Sequence, residues 1–194
     1  LINLNNNYTI LIHLGMTGKI ILIDANKKKY PTSFYYKLKD NNQIHNHMVF
    51  KFNNNSVIIY NDVRKFGFIK VFKTDKILQS SHLQNLGPEP LTNKFNFNYF
   101  KKNIKKRSVF IKDLLMNQKF LAGLGNIYVN EAIFLSKINP KTKSCNLTNI
   151  KVRALVKNIK KILKKAINEG GSSIKDFNNI RGKEGNFQQF FNVY

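Results

Sequence analysis

Cysteine occurs once, at Cys145, and tryptophan is absent. A single thiol excludes a disulfide framework and the small secreted scaffolds that depend on one. It also excludes a cysteine-built zinc site within these residues. An intracellular, cytoplasmic protein is expected. Acids are scarce as well: 10 Asp and Glu stand against 33 Lys and Arg, a formal net charge of +23. No apolar run approaches the ~20 residues of a membrane-spanning helix, so no membrane partner is expected. The opening Leu1-Ile2-Asn3-Leu4 has neither the basic segment nor the cleavage site of a signal peptide. An initiator methionine is missing too, and Asn192-Val193-Tyr194 ends the chain without a cap or charged tail. Truncation at both ends is the expectation.

What is present is a 194-residue chain with 42% hydrophobic residues, enough for one large core or two small ones. A sequence pI near 10.1 predicts binding to polyanions, with an affinity that falls steeply with salt. Translation from an AT-rich genome would enrich Lys and Asn together and raise the charge. It would not make acids scarce.

The first part reads as β-structure. Tyr8–Leu14, Lys19–Ile23, Phe34–Leu38, His47–Phe52, Val57–Tyr60 and Phe68–Phe72 are short β-branched or aromatic runs separated by polar turns such as Asn53-Asn54-Asn55. Such spacing suggests a sandwich or barrel. At Leu86-Gly87-Pro88-Glu89-Pro90-Leu91 the character changes, and this segment reads as a linker. Helical patterns follow over Asn98–Lys106, Ile111–Gln118, Asn126–Lys137 and Asn149–Asn168. The last places Leu155, Ile159, Ile162, Leu163 and Ala166 on one face and Lys157, Lys160, Lys161, Lys164 and Lys165 on the other. Gly170-Gly171 ends it, and Ser172–Tyr194 reads as a loop followed by an extended segment.

The run Lys119–Ala132 carries the most chemistry. A Gly123-Leu124-Gly125 turn leads into a helix opening at Asn126, where Asn can act as the cap. Free N–H groups at such an opening, aided by the helix dipole, form a phosphate site. His45 and His47, two apart on a strand, share one face. They suit a metal pair, but no third ligand stands nearby. Glu131, an acid on the helix that follows the turn, suits a solvated charge on an amphipathic face. Met16 and Phe66 taken singly suit a core, and Arg64 a surface charge.

Six motifs stand in order: His13-Leu14-Gly15-Met16-Thr17-Gly18; His45-Asn46-His47; Tyr60-Asn61-Asp62-Val63-Arg64-Lys65-Phe66-Gly67; Leu86–Leu91; the Gly-x-Gly-Asn-Ile-Tyr element; and Gly170-Gly171-Ser172-Ser173-Ile174-Lys175-Asp176-Phe177. Together they resemble formamidopyrimidine-DNA glycosylase, a family of bacterial enzymes that excise 8-oxoguanine and ring-opened purines. The resemblance runs from about Tyr8 to Tyr194. It implies an α+β protein, with an N-terminal antiparallel β-sandwich domain over residues 1–91 and a helix-two-turn-helix domain over residues 92–194. DNA would lie in the cleft between them.

The resemblance also implies roles. Met16, Arg64 and Phe66 match three residues that fill the void left by the extruded nucleotide. Arg is a fork of donors for the widowed cytosine, Phe a flat wedge and Met an adaptable filler. His45, His47, Lys65, Arg107, Lys112, Asn126, Tyr128 and Lys175 fall at DNA-contacting positions, with His13 near DNA. Gly170, Gly171, Ser172 and Ser173 match the loop that folds over the flipped base. Glu131 matches an acid that supports the active-site pocket. The chain departs from the pattern at Asn46, where Asp is usual, at Val63, where Pro is usual, and at Lys65, where Arg is usual. A phosphate contact survives Arg-to-Lys with loss of bidentate geometry.

The family's nucleophile is an N-terminal proline amine, followed by a catalytic Glu. Attack on the sugar C1′ and β- then δ-elimination cut the strand. Neither residue occurs here, nor does the four-cysteine zinc finger. The expectation is therefore a monomeric fragment holding recognition parts but no catalytic residues and no metal, inactive alone. The full-length protein would carry one structural Zn and act on double-stranded DNA containing oxidised purines or abasic sites in the bacterial nucleoid. Two alternatives remain: an endonuclease VIII-like glycosylase for oxidised pyrimidines, and a non-catalytic, ribosomal-type helix-two-turn-helix protein.

Overall fold

Asparagine clusters become hairpin turns. Asn tolerates the left-handed backbone better than other residues with a Cβ, and Asn7 and Asn55 take φ of 62° and 63°. The computed structural model describes residues 1–15, 17–31, 43–105, 107–171 and 187–193. These form two compact units, Leu1–Gln79 with Gly170–Gln188, and Ser80–Glu169 with Gln189–Tyr194.

The first unit holds two antiparallel sheets. Strands β1 (Ile2–Asn3), β2 (Tyr8–His13) and β7 (Phe68–Lys73) make one, in the order β1-β2-β7. Strands β3 (Gly18–Ile23), β4 (Lys29–Pro31), β5 (Asn46–Lys51) and β6 (Val57–Asp62) make the other, in the order β4-β3-β6-β5. Among the described residues the chain crosses between sheets twice, from β2 to β3 and from β6 to β7. Since β2 pairs with β7 and β3 with β6, both crossovers lie at one end. His13 pairs with Phe68 on one side of them and Gly18 with Asp62 on the other. The period-2 pattern buries Thr9 and Leu11 on β2 and Lys19 and Ile21 on β3. A 2% exposed lysine, level with Asn61 of β6, is not what alternation alone suggests.

Two strands escaped the sequence reading. β1 and β4 are two and three residues long and exist as returns of tight hairpins, too short to show a period. The expected strand Phe34–Leu38 lies outside the described residues.

The second unit is helical: α1 (Phe97–Ile104), α2 (Ile111–Met116), α3 (Asn126–Leu135) and α4 (Asn149–Asn168). Asn96 caps α1 by accepting from the Tyr99 N–H at 2.9 Å, and Thr148 caps α4 by accepting from Lys151. α4 matches its expected bounds and buries Val152, Leu155, Val156, Ile159, Ile162 and Ala166. Lys160 does not belong to the solvent face. Its Nζ turns inward to donate to the Thr92 carbonyl at 3.1 Å. Gly170 and Gly171 follow the helix with φ of 74° and 93°, a conformation glycine adopts without strain. In the tail, Phe187–Phe190 forms a 3₁₀ turn rather than an extended segment.

The Gly-Pro segment before α1 is tied to the α2–α3 connection. Gly87 N–H donates to the Gln118 carbonyl, and Ala122 N–H donates to the Pro88 carbonyl. A Cβ on Gly87 would lie 2.5 Å from the Phe120 backbone. Around it Phe95, Tyr99, Phe100 and Phe120 form an aromatic cluster, with Phe100 edge-on to Phe120 at 5.2 Å. Phe100 is fully buried, so Phe100→Ala is expected to cost about 3–5 kcal/mol in urea denaturation. Ile150→Ala, at a 79% exposed position, should stay within about 0.5 kcal/mol of the parent.

Candidate nucleic-acid interface

The two crossovers of the first unit touch through their glycines. Gly15 takes φ 62°, and a Cβ there would lie 3.0 Å from the Gly67 nitrogen and the Phe66 carbonyl carbon. A Cβ on Gly67 would fall 2.2 Å from the Tyr60 hydroxyl and 2.5 Å from the His13 carbonyl oxygen. Only glycine lets the backbones approach so closely. Gly15 and the Val63–Gly67 loop are thus held together as one structural unit.

Asp62 organises it. The residue is fully buried. Its carboxylate accepts from Thr17 Oγ1, from Tyr60 Oη at 3.1 Å, from Gly67 N–H at 2.9 Å and from Arg64 N–H at 3.3 Å. Thr17 Oγ1 also accepts from Arg64 N–H at 3.1 Å. Burial pushes the Asp62 pKa up, but the hydrogen bonds outweigh it and hold the group below its ordinary 3.8. Burial pushes Tyr60 up to about 12, and the neighbouring carboxylate adds to that shift. The loop so fixed presents Arg64, Lys65 and Phe66 to solvent. Phe66 is 58% exposed, and the Arg64 guanidinium lies over its ring at 4.6 Å. Lys65 takes φ 56°.

His47 joins the same structure, differently from the expectation. His45 ends a 3₁₀ turn, Gln43–His45, and the register of β5 on β6 shifts between Asn46 and Met48. His47 is the residue left over in that bulge, so strand alternation does not relate the two side chains. Its Nε2 lies 2.7 Å from the Asp62 carbonyl oxygen and donates to it. His13 stacks on Phe68 with ring centroids 5.3 Å apart, and its Nδ1 accepts from Gly15 N–H.

In the second unit, α2 and α3 are joined by two turns. Gln118 clamps the second, accepting from Gly123 N–H at 2.7 Å and donating to the Leu124 carbonyl at 3.2 Å. Gly123 supplies the positive φ, 76°; Gly125 sits at φ −99°. Asn126 is not the cap. Gly125 holds that position with no side-chain cap, and Asn126 is the first helical residue. The first intrahelical bond runs from Val129 N–H to the Gly125 carbonyl, so the opening amides lie at the helix mouth. A Cβ on Gly123 or Gly125 would meet nothing within 4 Å, which leaves room for a ligand. Asn126 is exposed and Tyr128 half-buried.

Residues 107–112 run beside 140–145. Phe110 bridges Lys143, and the Arg107 carbonyl accepts from Ser144 Oγ and Cys145 N–H. Arg107 is exposed, and Lys112 is half-buried in the first turn of α2. Glu131 lies on α3, but it is 2% exposed rather than solvated. Its carboxylate accepts from Asn192 N–H, Asn192 Nδ2 and Val193 N–H at 2.8–2.9 Å, tying the last residues to α3. Met16, Ser172, Ser173 and Lys175 lie outside the described residues. Among the described residues no cluster of His, Cys, Asp and Glu could hold a metal ion. No described helix is long and apolar enough to cross a membrane.

Sequence reasoning assigned no role to Asp62, Thr17 or Gln118. The available signal for Asp62 was an acid inside a basic loop of an acid-poor chain. Gln118 gave none, because its task depends on a turn six residues deep.

Comparison with known proteins agrees along the chain. Residues 1–69 match the formamidopyrimidine-DNA glycosylase N-terminal domain, and residues 86–178 match the formamidopyrimidine-DNA glycosylase H2TH domain. The chain is similar to the formamidopyrimidine-DNA glycosylases of Rickettsia felis, 37% identical over all of this chain and 65% of that protein, and Rhodopseudomonas palustris, 38% identical over all of this chain and 68% of that protein. It also resembles Lactococcus lactis Fpg in complex with DNA containing an abasic site, with a TM-score of 0.79 and 34% identity over 97% of this chain and 64% of that one. A complex of the same enzyme with Fapy-dG DNA gives a TM-score of 0.77 at 34% identity, covering 98% of this chain and 64% of that one. The chain therefore spans about two thirds of the length of these relatives.

The Asp62 linkage has a definite sign. A carboxyl with a lowered folded pKa contributes its full stability above its unfolded value, and loses it as pH falls through the folded one. Asp62→Asn is expected to lower stability by about 1–3 kcal/mol at neutral pH. It should also flatten the loss of stability below pH 3.8, as read by urea midpoints across pH.

Proposed function

We propose, from the premise that this chain belongs to the formamidopyrimidine-DNA glycosylase family, that it supplies the damage-recognition parts of a base-excision repair enzyme. The whole protein removes oxidised purines, 8-oxoguanine and formamidopyrimidines, from double-stranded DNA and cleaves the abasic strand by β- and δ-elimination. It works as a monomer in the bacterial cytoplasm, on nucleoid DNA. In this reading residues 1–91 belong to the catalytic β-sandwich domain and residues 92–194 to the helix-two-turn-helix domain. A four-cysteine zinc site does not fit Cys145 alone, so no step of recognition is assigned to a metal here.

One observation carries the reading: Gly15 and Thr17 of the first crossover are locked to the Val63–Gly67 loop, distant in sequence, through Gly67 and Asp62. Extruding a base costs a few kcal/mol of stacking and pairing. A rigid pair of loops can occupy the vacated space without being ordered on binding. Phe66 wedges into the base step, Arg64 donates to the orphaned cytosine, and Met16 fills the remaining gap. The Arg64–Phe66 stack holds fork and wedge near one another beforehand.

Phosphates are held elsewhere. Asn126, Tyr128 and the α3 amides take one at the helix mouth. His45, His47, Lys65, Arg107 and Lys112 take others, and Lys175 is assigned a contact to the base or a phosphate. Gly170, Gly171, Ser172 and Ser173 close over the flipped base, with Gly170 and Gly171 already in the positive-φ region. Glu131 acts by anchoring Asn192 and Val193 to α3. None of these residues is given the nucleophile's role.

Equilibrium binding tests this. Duplexes with 8-oxoguanine or an abasic analogue opposite cytosine should bind more tightly than undamaged DNA and than thymine glycol DNA. Arg64→Ala should lose about tenfold of the preference for cytosine opposite the lesion. Asn126→Asp, placing a negative charge at the helix mouth, should weaken all duplexes about equally. Tighter binding to thymine glycol would favour the pyrimidine enzyme, and preference for structured RNA would contradict a repair role.

A further inference from the structure

α4 carries a concentration of positive charge that recognition of a damaged base leaves unused. Its apolar face packs against α1 and α3. On the opposite face Arg153, Lys157, Lys161 and Lys165 stand at successive i+4 positions with Lys164 beside them, and all five are exposed. At 1.5 Å rise per residue the row is about 18 Å long. Like charges at this spacing oppose helix formation, and no acid occurs within Asn149–Asn168 to offset them. Compositional bias does not explain the row, since Lys and Asn rise together under it. The helix has Asn149, Asn158 and Asn168, all off the row.

The side chains differ in freedom. The Arg153 guanidinium lies 3.9 Å from the Phe97 ring centroid and Lys165 Nζ 3.4 Å from that of Phe190, so the ends are fixed. Lys157, Lys161 and Lys164 make no hydrogen bond, ion pair or ring contact among the described residues. We propose that this row is a second binding surface for the backbone of duplex DNA, separate from the Asn126 turn. It lies on the side of α4 opposite the one packed on α3. With one phosphate per 3.4 Å along each strand, the row spans about five phosphates. Lysines contact them as point charges, without reading sequence. The surface holds a second duplex segment while the first is bound, and lets the protein pass between segments without dissociating fully.

This rests on the reading of the chain as a DNA-binding protein, and the experiment separates the two. Dissociation of the full chain from a fluorescent undamaged duplex is followed by stopped flow at increasing unlabelled duplex. In the parent, the dissociation rate rises with competitor. In K157Q/K161Q/K164Q that dependence is lost while affinity for a single duplex changes less than about twofold. In the parent the competitor-dependent rate falls with salt, and Lys157, Lys161 and Lys164 contribute about 3 to that slope, at ~0.9 per phosphate neutralised. Lys-to-Arg changes at the same positions retain it, and circular dichroism shows an intact helix in both variants. Equal competitor dependence in the Gln variant and the parent overturns the inference, as does acceleration by tRNA but not by DNA. A parent that binds one duplex with no competitor dependence also overturns it and leaves the repair reading standing. A parent that binds no DNA overturns both.

Discussion

A buried carboxylate with four donors around it is the constraint on which the first unit depends. Asp62 ends β6 where the chain leaves one sheet for the other, and Thr17 lies in the loop that makes the reverse crossing. Their hydrogen bond joins residues 45 apart in sequence. A desolvated carboxylate is costly unless its lone pairs are filled. Here Tyr60, Arg64, Gly67 and Thr17 fill them, and three of those donors belong to the two loops themselves. The charge that burial disfavours is thereby turned into a reason for the loops to keep one shape. His47 adds a strand to the same knot through the Asp62 carbonyl.

The second unit solves a related problem with a neutral group. A helix mouth can receive a phosphate only if its own side chains leave the amides open. α3 begins after an uncapped glycine, and Gln118 holds the preceding turn from behind. Had Asn126 occupied the cap, its side chain would have competed for the same amides. Behind the mouth, Lys151 closes the other end of α3 by donating to the Ser136 and Lys137 carbonyls. Glu131, in the middle, fastens the end of the described chain.

Much of this was legible in sequence, for physical reasons that differ by element. α4 could be bounded to the residue because 20 residues of 3.6-residue periodicity lie between a Thr cap and two glycines. β1 and β4 could not be found, because two- and three-residue strands are made by their turns. The exposed pair Arg64 and Phe66 could be named from motif order, but what holds them could not. Hydrogen bonds to Asp62 come from another loop, and period or propensity carries no record of them. The relation of His45 to His47 was misread for a similar reason: a bulge changes facing without changing composition. Asn126 was misread because Asn is a frequent cap, and only the backbone shows that Gly125 takes the place.

The most direct measurement is fluorescence of 2-aminopurine placed at the base step beside an abasic analogue opposite cytosine. If Phe66 enters that step from a preformed loop pair, the parent raises the fluorescence on binding and Phe66→Ala, bound to saturation, does not. Equal enhancement by the parent and Phe66→Ala would contradict the central claim that the locked loops fill the space left by an extruded base.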